Sequence, residues 1–160
     1  MNPTRNDLKE SVRKQMADLL NGCLVELIDL GMQAKQAHWN VKGPSFIALH
    51  ELFDKVAEAV EEAVDTVAER AVALGGAATG TVQFVNEQSE LAPYPLQIKG
   101  GEQHVKALSM ALAACGARVR DAIETATKAG DQGTADVFTE VVRELDKYLW
   151  FVEAHAGAKD

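Results

Sequence analysis

Apolar residues recur every three or four positions along most of this chain, which is the pattern of amphipathic helices. Two such segments cover residues 6–40 and 46–74, and two more cover residues 102–129 and 134–155. Each is long enough for several helical turns. The pattern therefore predicts an all-α protein with four long helices.

Residues that flank these segments carry start and stop signals of helices. Thr4 and Asp7 are close to a capping box ahead of the first helix, and a Gly-Pro pair at 43–44 stops it. Ser45 is placed to cap the second helix, which two glycines at 75–76 close. The links after the first and third helices are short, so each pair is predicted to form an antiparallel hairpin.

The middle of the chain breaks the helical pattern. Residues 75–101 contain five glycines and two prolines, which exclude a continuous helix. A connection of this length has room for a short helix, expected at about residues 85–90. Two helical hairpins joined by one long crossover have the ferritin-like topology. We therefore predict one ferritin-like domain over residues 1–160, with short tails at 1–5 and 156–160.

Length and composition agree with one globular domain. The 160 residues are 47% hydrophobic and 25% charged. No apolar run approaches the ~20 residues that span a bilayer, and the N-terminus lacks the apolar core of a signal peptide. A cytoplasmic location without a membrane partner is expected. Cys23 and Cys115 lie singly in helical patterns, so they are interpreted as core residues rather than a disulfide or a thiolate metal site.

The net charge bears on the class of partner. A formal charge of -8 disfavours salt-sensitive binding to phosphate backbones and suits a protein that gathers cations. The exception is a weakly basic patch near the N-terminus, formed by Arg5, Lys9, Arg13 and Lys14. Such a patch is usually the solvated face of a helix.

Candidate metal ligands are concentrated on the second helix and at the end of the first. His50 and Asp54 are four residues apart, as are Asp65 and Glu69, so each pair presents two ligands on one helical face. His38 precedes the turn between the two helices, and that turn is expected to bring its ring level with His50. Imidazole and carboxylate are ligands that a redox-active iron accepts, and zinc or manganese can take the same set.

The two pairs are related by symmetry. Asp54 and Asp65 lie three helical turns apart, about 16 Å along the axis, so one chain cannot join them. An antiparallel copy of the helix places Asp54 opposite the partner's Asp65 and His50 opposite the partner's Glu69. A two-fold dimer is therefore predicted to build two equivalent metal sites, each with ligands from both subunits.

Two other metal-binding motifs are incomplete in this sequence, and the remaining polar and aromatic residues are interpreted as structural. The segment His50-Glu51-Leu52-Phe53-Asp54 lacks the second histidine of a zinc-protease helix, and no glutamate is followed three residues later by histidine, as an in-bundle di-iron site needs. The residues interpreted as solvated are Glu58, Glu61, Glu62, His104 and His155. Those interpreted as core, interface or ordinary packing are Trp39, Trp150, Met16, Met32 and Met110.

The chain also resembles the Dps family of ferritin-like proteins, named for DNA protection during starvation. The segments that carry the resemblance are KQAHWNVKGPSF at 35–46, LHE at 49–51, DTVAERA at 65–71, LGG at 74–76, YPL at 94–96 and LDKYLWF at 145–151. The resemblance implies a hollow homo-oligomer of twelve subunits that oxidises ferrous iron, preferably with hydrogen peroxide, and stores the ferric mineral.

The resemblance assigns residues as well. The implied ferroxidase ligands are His38, His50 and Asp54 of one subunit with Asp65 and Glu69 of its neighbour, the set that the spacing also selects. Trp39 is implied to lie beside the site, where interface packing is an equally good interpretation. The acidic residues implied to line iron-entry pores are Asp136 and Asp146.

Two other functions stay open. The chain lacks the lysine-rich tail that family members which bind DNA directly often carry, so direct DNA binding is expected to be weak. The second hypothesis is nevertheless a protein that binds the bacterial nucleoid or DNA and whose metal site is secondary. The third is a helical oligomer without metal chemistry.

Overall fold

The computed structural model describes residues 1–157, which form five α-helices and no named strand. They are α1 (Glu10–Asn40), α2 (Phe46–Ala73), α3 (Val82–Gln88), α4 (Gly101–Ala129) and α5 (Gln132–Glu153). The predicted all-α class, the four long helices and the short helix in the crossover are confirmed. Of the predicted C-terminal tail, residues 158–160 lie outside the described part of the chain.

The starts of α1 and α5 differ from the predicted ones, and local side-chain hydrogen bonds lie at both places. α1 begins at Glu10 and has no side-chain cap, so the capping box predicted around Thr4 and Asp7 is wrong. Asn6 instead forms a local turn, in which its side-chain oxygen accepts the Leu8 amide at 3.0 Å. Ser45 occupies the cap position of α2, but its side chain makes no capping hydrogen bond, so that prediction is wrong. α5 begins earlier than predicted because Asp131 accepts the Thr134 amide at 3.0 Å.

The core lies between two helical hairpins, α1 with α2 and α4 with α5. Phe53 and Phe138 are fully buried, one from each hairpin. Cys23 and Cys115 are free thiols in this core, as predicted, and burial raises the pKa of Cys23 to about 12. Glu58, Glu61 and Glu62 are exposed, also as predicted, as is His155.

Three interpretations of single residues need correction. His104 was expected at the surface, but only 1% of it is exposed, and its Nδ1 lies 2.6 Å from the Tyr94 hydroxyl. Met32 and Met110 were expected to pack, but they are 57% and 61% exposed. The apolar part of Tyr94 and the ring of Phe53 surround His104, which explains how a histidine fits inside the bundle.

The long crossover is fixed to α1 by polar contacts. The carboxylate of Glu26, which is 1% exposed, accepts the Glu90 amide at 3.1 Å and lies 3.2 Å from Arg118. Ser89 donates its hydroxyl to Asp29 at 2.5 Å. These contacts hold the crossover against the bundle although it contains little regular structure.

The turn between α1 and α2 sets the height of the residues on either side. Gly43 has a φ of 118°, which favours glycine, and the Phe46 amide donates to the Gly43 carbonyl at 3.0 Å. The Lys42 amide also donates to the Lys99 carbonyl at 3.1 Å, which ties this turn to the end of the crossover.

Among residues 1–157, none of the helices has the length and apolar character needed to cross a membrane.

Candidate metal centre

His38 and His50 face each other across the α1–α2 hairpin. The His38 Nδ1 lies 2.8 Å from the His50 carbonyl oxygen, and the His50 Nδ1 lies 2.9 Å from the His38 carbonyl oxygen. The two rings stack with their centroids 3.8 Å apart. The turn therefore brings the two histidines to one level, as the sequence predicts.

This reciprocal arrangement selects one tautomer of each ring. A carbonyl oxygen can only accept a hydrogen bond, so each Nδ1 carries the proton and donates it. In a neutral imidazole the other nitrogen, Nε2, then has a free lone pair. Histidines that bind metals commonly donate their second ring nitrogen to a backbone carbonyl in this way. Both rings are thus prepared to offer Nε2 to a metal.

Asp54 completes this group from the next turn of α2. Its Oδ1 lies 3.9 Å from the His38 Nδ1 and 2.5 Å from the Lys35 ammonium. The hydrogen bond from Lys35 holds the pKa of Asp54 below its usual value, with smaller contributions from the nearby histidines. The carboxylate is therefore ionised at neutral pH, and the Lys35 ammonium balances its charge.

These three residues line an open depression of about 440 Å³ at the bundle surface. The Phe46 ring lies 5.1 Å from the His50 ring, and Ile47, at 62% exposure, forms part of the rim. Trp39, next to His38 in the chain, is 60% exposed. The rest of the lining is charged, from Glu51, Lys55 and Glu58. The depression is therefore mainly polar, with exposed apolar side chains nearby at Ile47 and Trp39.

Asp65 and Glu69 lie farther along α2, on exposed positions. Within residues 1–157 their side chains form no ion pair or hydrogen bond, and no three histidine, cysteine or acidic residues come close enough to hold a metal ion. His38, His50 and Asp54 of one chain line the same depression without forming a complete metal site, and the other two residues lie farther along the helix. The assignment of Asp65 and Glu69 to a neighbouring subunit stays a prediction.

The bounds of α2 add an observation to the symmetry argument. The helix runs from Phe46 to Ala73, so its centre falls between Ala59 and Val60. The midpoints of the His50–Glu69 and Asp54–Asp65 pairs fall at the same place. A two-fold axis through the middle of the helix would therefore relate the two ligand pairs and the two helix ends together.

The predicted pore residues lie away from this centre. Asp136 is exposed on α5, and Asp146 forms an ion pair in which Arg120 donates to both of its carboxylate oxygens at 2.8 Å. Nothing within the described chain tests a role in iron entry. Asp146 is nevertheless neutralised in the isolated subunit.

Sequence reasoning did not assign two residues next to the ligands. Lys35 lies one helical turn before His38, and its approach to Asp54 depends on the packing of α1 on α2. Arg70 follows Glu69 directly, but its guanidinium contacts Asp131 and Thr134 at the α4–α5 link. Both contacts join residues far apart in the chain, so helical spacing could not reveal them.

Comparison with known proteins agrees with the fold. A family model described as Ferritin, ferritin-like domain, matches residues 17–158. The DNA protection during starvation protein of Agrobacterium fabrum (strain C58) is 44% identical over 156 residues, which are 98% of this chain and 96% of that protein. The first of these findings places the chain among ferritin-like proteins, as its topology does.

Solved structures that resemble this chain indicate which family of ferritin-like proteins it belongs to. Mycobacterium smegmatis Dps superposes with a TM-score of 0.93 at 31% identity and covers 98% of this chain and 96% of its own. A Dps structure from Microbacterium arborescens superposes with a TM-score of 0.85 at 34% identity over 90% of this chain and 93% of that one. The chain belongs to the Dps family, the DNA-protection-during-starvation branch of the ferritin-like proteins.

Proposed function

We propose that this protein is a ferroxidase and iron store, whose site forms where the His38–His50–Asp54 group of one subunit meets Asp65 and Glu69 of another. The observation that carries the proposal is the reciprocal histidine arrangement, which leaves the Nε2 atoms of two rings free in a depression that an ionised carboxylate also lines. Ferrous iron is the substrate. Its preference for mixed nitrogen and oxygen ligands matches this set.

The proposed chemistry follows from the ligands. The carboxylates neutralise ferrous iron and bind the ferric product more strongly, which favours loss of an electron. Two ferrous ions give one electron each, hydrogen peroxide accepts both, and with two protons it leaves as two water molecules. Because both electrons reach one peroxide, no hydroxyl radical is released. Hydrogen peroxide is the proposed oxidant in preference to oxygen.

Names of the relatives support iron handling and protection of DNA. The Agrobacterium fabrum relative is called a DNA protection during starvation protein, and the Microbacterium arborescens structure is described as a high iron form. We extend both properties to this chain. The proposed assembly is a homo-oligomer of two-fold dimers, with twelve subunits around a mineral cavity.

A second candidate function, direct binding to DNA, has less support. Arg13 belongs to the predicted basic patch, but it is buried and donates to the Leu74 carbonyl at 2.9 Å. Lys14 pairs with Asp18 at 2.7 Å. Two of the four basic residues are therefore already engaged, and the net charge of the chain is -8.

The test is anaerobic loading of metal-free protein with ferrous iron, followed by hydrogen peroxide and near-ultraviolet absorbance. We expect His50→Ala/Asp54→Ala and Asp65→Ala/Glu69→Ala to oxidise iron at least about tenfold more slowly, because each removes two of the five proposed ligands of every site. Co-expression of the two variants should restore part of the activity, since one site in each mixed dimer is complete.

The matched control is Glu140→Ala/Glu144→Ala, which removes two exposed carboxylates with the same spacing from α5. Light scattering of every variant separates lost assembly from lost chemistry. Wild-type rates in both ligand variants would refute the site. Loss of activity without rescue in mixed dimers would refute its construction from two subunits.

A further inference from the structure

Arg70 lies next to a proposed ligand but turns away from it. It directly follows Glu69 near the end of α2, and its Nη2 donates to the Asp131 carboxylate at 2.7 Å. Its Nε donates to the Thr134 hydroxyl at 3.0 Å. Asp131 is only 3% exposed, so the ion pair is largely removed from solvent on one side. The two donors of one guanidinium therefore meet two acceptors at the start of α5.

The acceptors are fixed in their turn. Thr134 donates its amide to Asp131 Oδ1 at 3.0 Å and its hydroxyl to Asp131 Oδ2 at 2.6 Å. The Thr134 hydroxyl thus accepts from Arg70 and donates to Asp131, which uses each group in the direction its chemistry allows. A closed network of this kind, partly buried and charge-assisted, holds its members in one geometry.

This network is an anchor for the last turns of α2. At its other end α2 is held by the turn with α1 and by the reciprocal contacts of His38 and His50. Asp65 and Glu69 have no side-chain partner within residues 1–157, so the path of the helix backbone determines where they point. Small displacements matter, because metal affinity depends on ligand positions within a few tenths of an ångström.

We propose that Arg70 and Asp131 are positioning residues for the Asp65–Glu69 half of the metal site. The inference rests on the proposed function and deepens it. Asp131 belongs to the α4–α5 hairpin and is not among the proposed ligands. It acts by fixing Arg70, which fixes the turn of α2 that carries Glu69. It also keeps a guanidinium charge directed away from a carboxylate that must bind a cation.

The variant that tests this is Asp131→Asn in the assembled full-length protein. Asparagine keeps the capping oxygen of α5 and the side-chain volume, but it removes the charge that binds Arg70. Titration with Co²⁺, followed by its visible absorbance, reports both affinity and ligand geometry without oxidation. We expect the Co²⁺ affinity to fall about tenfold, the usual effect of removing a residue that orients metal ligands.

A pair of threonine variants supplies the matched control. Thr134→Val removes the hydroxyl that bonds to both Arg70 and Asp131, whereas Thr139→Val removes one that bonds only to the Ala135 carbonyl of the same helix. Thr134→Val is expected to weaken Co²⁺ binding and Thr139→Val to leave it unchanged. Equal effects of the two would overturn the proposal.

Mixed dimers separate positioning from a general loss of stability. One chain carries His50→Ala/Asp54→Ala and the other carries Asp65→Ala/Glu69→Ala, so each mixed dimer keeps one complete site. Asp131→Asn in the first chain alters the subunit that supplies Asp65 and Glu69 to this site. In the second chain it alters the subunit that supplies the histidines. The proposal expects weaker Co²⁺ binding only in the first arrangement.

The outcomes distinguish this inference from the function on which it rests. Equal Co²⁺ affinity in the two mixed arrangements would overturn the positioning role and leave the two-subunit site intact. Co²⁺ binding that survives in Asp65→Ala/Glu69→Ala homodimers would instead overturn the site itself. A tenfold loss confined to the first arrangement would support both, and a loss confined to the second would overturn the positioning role.

Discussion

At the scale of single residues, the half-site is held ready by contacts that a metal would have to replace or preserve. The two histidines keep their Nδ1 contacts to carbonyl oxygens when Nε2 binds a metal, so these contacts are preserved. The Lys35 contact to Asp54 is different, because an ammonium and a metal ion compete for the same carboxylate. The Lys35–Asp54 ion pair must therefore be broken when a metal binds to Asp54, which lowers the metal affinity.

Replacement of Lys35 should strengthen metal binding. Lys35→Met keeps most of the aliphatic stem and removes the ammonium that lies 2.5 Å from Asp54. Since this pair is partly exposed, we expect the Zn²⁺ affinity to rise by about two- to fivefold, measured by calorimetry. Lys55→Met is the control, because Lys55 lines the same depression and forms no ion pair within residues 1–157. Equal gains in both variants would show a general charge effect rather than displacement.

The proposed ligands can be selected from the sequence because their spacing repeats the period of a helix. His50 with Asp54 and Asp65 with Glu69 are visible as pairs in the sequence, and the glycine and proline after His38 indicate the turn. The contacts of Lys35 and Arg70 could not be predicted in this way. Each depends on which helix packs beside which and at what height, and that information is not local.

At the scale of helices and links, periodicity determined the elements but not the inside of the crossover. Four segments with apolar residues at helical spacing predict four long helices. The spacing does not show whether a single histidine in such a segment is buried. His104 is buried because Tyr94, from the crossover, covers it and contacts its Nδ1. Within the described residues its Nε2 has no partner. The crossover thus closes over a polar group that the bundle alone would expose.

This burial predicts a pH dependence of stability. Burial lowers the pKa of His104, so the unfolded chain, with a histidine pKa of about 6.5, binds the proton at higher pH than the folded protein does. The free energy of unfolding should therefore fall as the pH drops below about 6.5, by up to about 1.4 kcal/mol per pH unit until the folded protein also takes up the proton.

Urea unfolding at pH 7 and at pH 5.5 tests this expectation. His104→Gln should lose much of the pH dependence, because glutamine does not titrate. His155→Gln replaces an exposed histidine and should leave the dependence unchanged. If the two variants behave alike, His104 is not the group responsible.

At the scale of the whole molecule, the subunit is an incomplete unit in two respects. Three proposed ligands lie together at one end of α2 and two lie at the other, and apolar side chains such as Trp39, Ile47 and Met32 are left exposed. A two-fold partner would complete the metal site and cover apolar surface at once. Sequence symmetry predicts such a dimer, but the number of dimers in a shell depends on surfaces that no motif marks.

The charge of the molecule bears on how it would protect DNA. A polyanion repels another polyanion, and affinity for DNA comes mainly from lysine and arginine contacts to phosphates. Here the subunit carries -8, Arg13 is buried, and the Asn2 amide donates to the Gly75 carbonyl at 2.6 Å, so the N-terminal segment lies against the bundle. We therefore predict that the assembled protein does not retard DNA in gels at about 0.15 M salt.

Protection should nevertheless be strong if it is chemical. In a mixture of ferrous iron, hydrogen peroxide and plasmid, the wild-type protein is expected to prevent strand cleavage without forming a complex with the plasmid. His50→Ala/Asp54→Ala should protect poorly, although its charge becomes only slightly less negative. A variant with several lysines added at the N-terminus supplies the positive control for DNA binding. Strong retardation by the wild-type protein, together with protection by the ligand variant, would show that contact with DNA protects it, because removal of iron and peroxide would then be unnecessary.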